Sequence, residues 1–189
     1  KAAHAGFIPE GMKSYDPSKV KGYTYQPEKV RALLKEAGYG EGNKLPEFTV
    51  HVTDNYKEHI EFIQSQLAEN NIRINVSIEK ASVLRQAVNS CEYALFKKSW
   101  VADYADEENF MSLFYSKHFS PQGVNFFHFK NDQFDSLYEK AQLITSIKDK
   151  VDLYQQMENI IIEEAPVIPL YYDEVVRLVS HRIKHLETN

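Results

Sequence analysis

Trp100, the only tryptophan in the chain, is followed three residues later by Asp103 in the run Trp100-Val101-Ala102-Asp103-Tyr104. The run comes straight after Tyr93-Ala94-Leu95-Phe96, an apolar segment that reads as a buried strand. An indole and a carboxylate presented at the end of a core strand suit recognition of a cation. The strand fixes the backbone, the ring excludes water and the carboxylate supplies the charge. Three more acids, Asp106, Glu107 and Glu108, follow closely. Paired carboxylates here could serve glycoside cleavage or hold a hard metal ion. Asp106 to Glu108 also open an apolar run through Phe110, Leu113 and Phe114, where acids suit the positive end of a helix, and that role fits them better. Asp103 precedes the helix and keeps the binding chemistry.

Elsewhere the reactive residues are dispersed. Gly38-Tyr39-Gly40-Glu41-Gly42 has the glycine content of a phosphate loop, but it follows a helix pattern and so meets the carbonyl end, which repels anions. A helix stop is the better reading. His181 and His185 have the spacing of one helical face, yet they lie in a segment that reads as a strand end and a tail. None of the seven histidines falls in a His-Glu-x-x-His pattern. Cys91 is the single cysteine, which excludes an intrachain disulfide and a cysteine-based zinc cluster. No Ser, Cys or His arrangement suggests a nucleophile. Neither a metal nor a cofactor is expected.

A net charge of -5 without a basic stripe excludes a nucleic-acid footprint. No apolar run approaches the length of a membrane span, and no signal-peptide pattern is present. The opening Lys1-Ala2-Ala3-His4, without Met, is what a piece of a longer protein is expected to show. Aromatic residues make up 13% of the chain, enough for a large core or an aromatic-lined cleft.

The elements that must position these groups follow from periodicity. Residues 1 to 25 are turn-rich and read as an irregular leader lying over a surface. Pro27 opens a helix with Val30, Leu33, Leu34 and Ala37 on its apolar face, and Gly38 ends it. Phe48, Val50 and Val52 alternate with polar residues as a half-buried strand. A helix from about Asn55 to Glu69 carries Ile60, Ile63 and Leu67, and a second strand alternates through Ile72, Ile74, Val76 and Ile78. Strand, helix, strand over about thirty residues is a βαβ unit with parallel strands and a right-handed crossover. A short helix over Val83 to Val88 leads to a third strand, Tyr93 to Ser99.

Asn131 caps a helix with Phe134, Leu137, Tyr138, Ala141 and Ile144 on its inner face. Ser146 and Asp149 have capping-box spacing for another, which buries Leu153, Met157, Ile160 and Ile161. Val167 to Tyr172 and Val175 to Val179 read as strands, with Pro169 pushing the first toward an edge. The whole is one α/β domain.

With the elements placed, five ordered motifs resemble the C-terminal lobe of extracytoplasmic solute-binding proteins of peptide and nickel ABC importers. They are Ala5-Gly6-Phe7-Ile8-Pro9; Tyr25 to Tyr39, similar to that family's "DPEKAKALLAEAGY"; Trp100 to Asp106, similar to "GW-x-ADY-x-DP"; Asn131-Asp132-Gln133-Phe134-Asp135; and Glu163 to Tyr171, similar to "ED-x-P-x-IPL-Y". Gln26, Ser99 and Glu107 depart from the pattern, standing where aspartate, glycine and proline are usual.

The resemblance implies a periplasmic-binding-protein-like α/β lobe, with a mixed sheet containing the βαβ unit and flanking helices. Residues 1–189 would form a single C-terminal lobe of a larger two-lobed receptor, whose N-terminal lobe is absent here. It implies a substrate-binding component of an ABC importer, not an enzyme, located in the periplasm or otherwise outside the cytoplasm and membrane-anchored. Its partners would be a peptide ligand and the importer's permease subunits.

In peptide-binding members the aspartate matching Asp103 pairs with the ligand's α-ammonium. Trp100 would wall a side-chain pocket, and the backbone near Val101 would pair with the peptide like an added strand. Lys97 is placed to help with a ligand carboxylate, or is simply an exposed strand lysine. The alternatives are the same receptor with an oligosaccharide or metal complex as ligand, and a hydrolase using Asp103 and Glu107.

Overall fold

The computed structural model describes residues 1–40, 42–174, 178–180 and 182–183. Pro27 opens α1 (Pro27–Glu36), and Gly38, in the left-handed region at φ 84°, stops it. The Gly38 carbonyl accepts from Asn43 Nδ2 at 2.7 Å, as a helix stop requires and a phosphate cradle does not. β1 (Phe48–Thr53) leads through a 3-10 turn (Asp54–Tyr56) into α2 (Lys57–Ala68) and then β2 (Ile74–Glu79). α3 (Ala81–Asn89) and the short β3 (Leu95–Phe96) follow.

The βαβ reading holds in detail. β1 and β2 run parallel from Phe48↔Ile74 to Thr53↔Glu79, and β3 pairs parallel with the other edge of β1 in the order β2-β1-β3. Val52, Ile60 and Ile74 are buried between sheet and crossover helix, flanked by Val50, Ile63, Leu67 and Val76.

A second and larger core lies beyond β3. It is built by α4 (Glu108–Met111), which continues into 3-10 turns at Ser112–Phe114 and Ser116–His118, and by α5 (Asp132–Leu143) and α6 (Ile147–Glu164). Phe114 is its hub, meeting the rings of Phe7, Phe127, Phe129 and Phe134 at 4.9 to 6.1 Å. Both expected caps form. Asn131 accepts the Phe134 N–H at 3.0 Å, and Ser146 accepts the Asp149 N–H at 3.4 Å. Asn131→Ala is expected to lower the unfolding free energy by about 1 kcal/mol, read by urea denaturation, because that N–H loses its acceptor.

Five expectations change. The leader is not draped over a surface: Ala5, Ile8, Ser14 and Val20 are buried although residues 1–22 form no helix or strand. Buried irregular backbone needs side-chain partners, and it has them. Ile8 N–H donates to Glu158 Oε1 and Ser14 N–H to Glu107 Oε1, both at 2.8 Å, while the Ser14 carbonyl accepts from Gln155 Nε2 at 2.9 Å.

The sheet, expected to be mixed, has only parallel pairs among the described residues. Antiparallel pairing survives in isolated bridges, one of them Ala2↔Tyr171. That bridge is all that forms of the strand expected from Val167 to Tyr172. The strand expected at Tyr93 to Ser99 is confined to Leu95–Phe96, because the chain leaves β1 after the Lys97 N–H bonds the His51 carbonyl at 3.0 Å. Finally, α1 forms but none of its residues is buried, so its apolar face has no core to join. Most of the expected strand Val175 to Val179, and His181 and His185, lie outside the described residues.

Candidate functional site

In open parallel sheets, ligands meet the carboxyl ends of the strands, where the loops diverge. All four candidate residues leave the sheet at that edge, on the segment after β3. Lys97 is half-buried, Trp100 is half-buried, and Val101 and Asp103 are exposed. Ser99, Trp100, Val101 and Ala102 make no backbone hydrogen bond among the described residues. A run of free N–H and C=O groups at the end of a strand is a template for an added extended chain.

The run is held from behind by Asn109, a buried residue on α4. Its Oδ1 accepts the Asp103 N–H at 3.2 Å and its carbonyl accepts the Trp100 Nε1–H at 3.0 Å. Trp100 also packs on the large core, so one side of the indole is committed to structure. The Asp103 carboxylate has no hydrogen-bond or ion-pair partner among the described residues and stays open to solvent.

The neighbouring acids are occupied. Asp106 accepts the Glu108 N–H at 2.9 Å and pairs with Lys150 at 3.2 Å and with the Tyr154 hydroxyl at 3.2 Å. Burial pushes its pKa up, but these partners together outweigh it and hold the carboxyl below its ordinary value. Glu107 is buried on Ser14, and Glu108 accepts from the hydroxyls of Tyr104 and Tyr138. The acids after Asp103 therefore build the helix start and its packing, and Glu107 is not presented to solvent beside Asp103 as a catalytic pair would be.

Lys97 lies in a cluster that sequence reasoning did not assemble. Its ammonium sits 3.4 Å from the centre of the Tyr56 ring and 5.4 Å from that of Tyr171, and donates to Ser99 Oγ at 2.7 Å. The Tyr56 hydroxyl and Ser99 Oγ are 3.0 Å apart. Ser99 and, more weakly, Lys97 hold the Tyr56 pKa below its usual value against the opposing effect of burial. A shallow depression of about 530 Å³ adjoins Tyr56 in sequence, lined by Thr53 to Asn55 and Ile78 to Ala81 at the carboxyl ends of β1 and β2. A second, about 440 Å³, lies at the opposite edge around Glu47, Arg73 and Ile74 and has no part in this chemistry. Among the described residues no group of three His, Cys, Asp or Glu side chains is arranged to hold a metal.

A small parallel sheet with flanking helices, carrying an open backbone run at its carboxyl edge, is the architecture of a periplasmic-binding-protein lobe. The periplasmic binding protein DppA from Helicobacter pylori, solved with peptide STSA, is 28% identical and superposes with a TM-score of 0.79 over 88% of this chain and 32% of its own. A periplasmic oligopeptide-binding protein from Borrelia burgdorferi is 27% identical with a TM-score of 0.72, over 85% of this chain and 32% of that one. Among curated sequences, the dipeptide-binding protein of Escherichia coli K12 is 29% identical over 94% of this chain and 34% of its own length.

The chain belongs to the bacterial extracellular solute-binding proteins, family 5, whose middle region matches residues 1–122. It spans about a third of the length of the relatives it matches. No helix among the described residues is long and apolar enough to cross a membrane.

Proposed function

We propose that residues 1–189 are the C-terminal lobe of a two-lobed receptor that captures peptides outside the cytoplasm and delivers them to the permease subunits of an ABC importer. The receptor is membrane-anchored, binds its ligand without chemical change, and closes an N-terminal lobe over it. One observation carries the reading. The exposed Asp103 carboxylate, which has no partner among the described residues, stands next to four residues whose backbone groups make no hydrogen bond among them either. A carboxylate for an ammonium and a backbone edge for an extended chain are the two things every peptide offers, whatever its side chains. Val101 lies within that backbone run, Trp100 walls it on the core side, and Lys97 lies at its upstream end to meet a carboxylate. The peptide ligands named for the Helicobacter and Escherichia relatives support the same reading.

The test uses the whole receptor, incubated with an equimolar pool of di- to pentapeptides, a pool of oligosaccharides and a nickel chelate, and examined by native mass spectrometry. Peptides are expected in the complex. Retention of the sugars or the chelate with no peptide overturns the reading.

A further inference from the structure

Lys97 projects from a segment that has just left the sheet, and a free lysine there would sample many rotamers. It is instead held on two sides. Its ammonium lies over the Tyr56 ring at 3.4 Å, with the Tyr171 ring at 5.4 Å, and one of its three N–H donors goes to Ser99 Oγ at 2.7 Å. Ser99 and Tyr56 are joined in turn, oxygen to oxygen, at 3.0 Å across 43 residues of sequence. With one N–H on Ser99 and the Tyr56 ring face taking another, one donor of the ammonium remains for a ligand. The cluster contains no carboxylate, so nothing in it neutralises the charge it positions. Holding a cation by ring faces and a hydroxyl leaves that charge available to an anion, whereas an ion pair would quench it.

We infer that Tyr56 and Ser99 are positioning residues that fix Lys97 as the receptor for the peptide's terminal carboxylate, and so make the receptor select free-acid peptides over C-terminally blocked ones. The inference rests on the peptide reading above and adds a specificity element to it. Tyr171 and His59 extend the aromatic side, their rings 6.0 Å apart. The cost avoided is entropic: a lysine already ordered loses less on binding than one recruited from solvent.

The experiment measures, in the whole receptor, the ratio of free-acid to C-terminally amidated peptides retained from a matched di- to pentapeptide pool, by native mass spectrometry. Each variant is also scored for its ratio of free-amino to N-acetylated peptides. Wild type is expected to favour free acids, and Lys97→Gln to bring that ratio near one. Ser99→Gly and Tyr56→Leu each lower it by roughly threefold to tenfold, the range of one exposed cation–ring contact or one ordinary hydrogen bond. Tyr56→Phe keeps the ring and retains most of the preference. All of these variants keep their preference for free amino termini, which a general loss of structure would also erase.

If Lys97→Gln collapses the acid preference while Ser99→Gly and Tyr56→Leu leave it at the wild-type value, the clamp is wrong and the role of Lys97 stands. If wild type shows no acid preference, or Lys97→Gln keeps it, Lys97 is not the carboxylate receptor and the clamp falls with it. Loss of both preferences together in Ser99→Gly and Tyr56→Leu makes the cluster merely structural and also overturns the inference.

Discussion

Asp103→Asn in the whole receptor is expected to weaken binding of peptides with a free amino terminus by about a hundredfold or more, the range for truncating one partner of a desolvated charge pair. Binding of N-acetylated peptides is expected to stay level or improve. The reasoning starts from the open lobe, where the carboxylate is exposed and hydrated and its backbone is pinned by Asn109. Closing a second lobe strips that water. The loss is repaid only if an ammonium arrives with good geometry, because a buried charge left without a partner is costly. Asparagine keeps the shape and one acceptor oxygen but removes the charge, so a free ammonium loses its counterion. An N-acetylated peptide brings no cation, and against it the wild-type carboxylate is the uncompensated charge. Isothermal titration of free and acetylated forms of one retained peptide reads both effects. Equal affinities of the wild type for the two forms would remove Asp103 from the amine-anchor role.

How far this site could be read in advance follows the range of the interactions. Local patterns were legible. The alternation of Val50 and Val52 with His51 and Thr53 gave β1, the crossover to β2 followed, and Asn131 and Ser146 cap where their spacing said they should. Trp100 and Asp103 were visible as a pair because they lie three residues apart after an apolar run. What failed depended on partners remote in sequence. The leader is buried because Glu158 and Glu107, 150 and 93 residues away from the groups they accept from, satisfy its backbone.

The apolar stripe of α1 and the Val167 to Tyr172 segment have the right residues for burial and pairing, yet α1 buries none of its residues and the second keeps a single bridge at Tyr171. Tyr56 and Ser99 meet from 43 residues apart, and no local pattern announces that. Asn109 gave one weak signal, an amide directly before the apolar Phe110-Met111. That position is buried, and its side-chain amide and main-chain carbonyl together staple the binding run from behind.

The same remote acids lead to a second large effect, on stability. Glu158 of α6 is 1% exposed and receives the Ile8 N–H, with Phe7 N–H also turned toward it and Glu107 adding like charge. Gly6 lies so close that a β-carbon there would fall 2.1 Å from Glu158 Oε1, so the leader backbone packs directly against the carboxyl. Burial, reinforced by Glu107 and opposed by the two N–H groups, pushes the Glu158 pKa up to about 7 from an ordinary 4.5.

A carboxyl that holds its proton more tightly when folded stabilises the fold fully below the unfolded value and loses that contribution as pH rises through the folded one. Between pH 4.5 and 7 the contribution of this one group falls by about 3 kcal/mol, at 1.36 kcal/mol for each tenfold. Glu158→Gln keeps an acceptor for Ile8 and cannot ionise, so its urea midpoint is expected to overlap wild type near pH 5 and to exceed it at pH 8. Glu158→Ala instead strands the Ile8 N–H and is expected to be less stable than Glu158→Gln at every pH, by about 1 to 3 kcal/mol. Wild-type and Glu158→Gln midpoints that run parallel from pH 5 to 8 would show that the carboxyl under the leader titrates as an ordinary one.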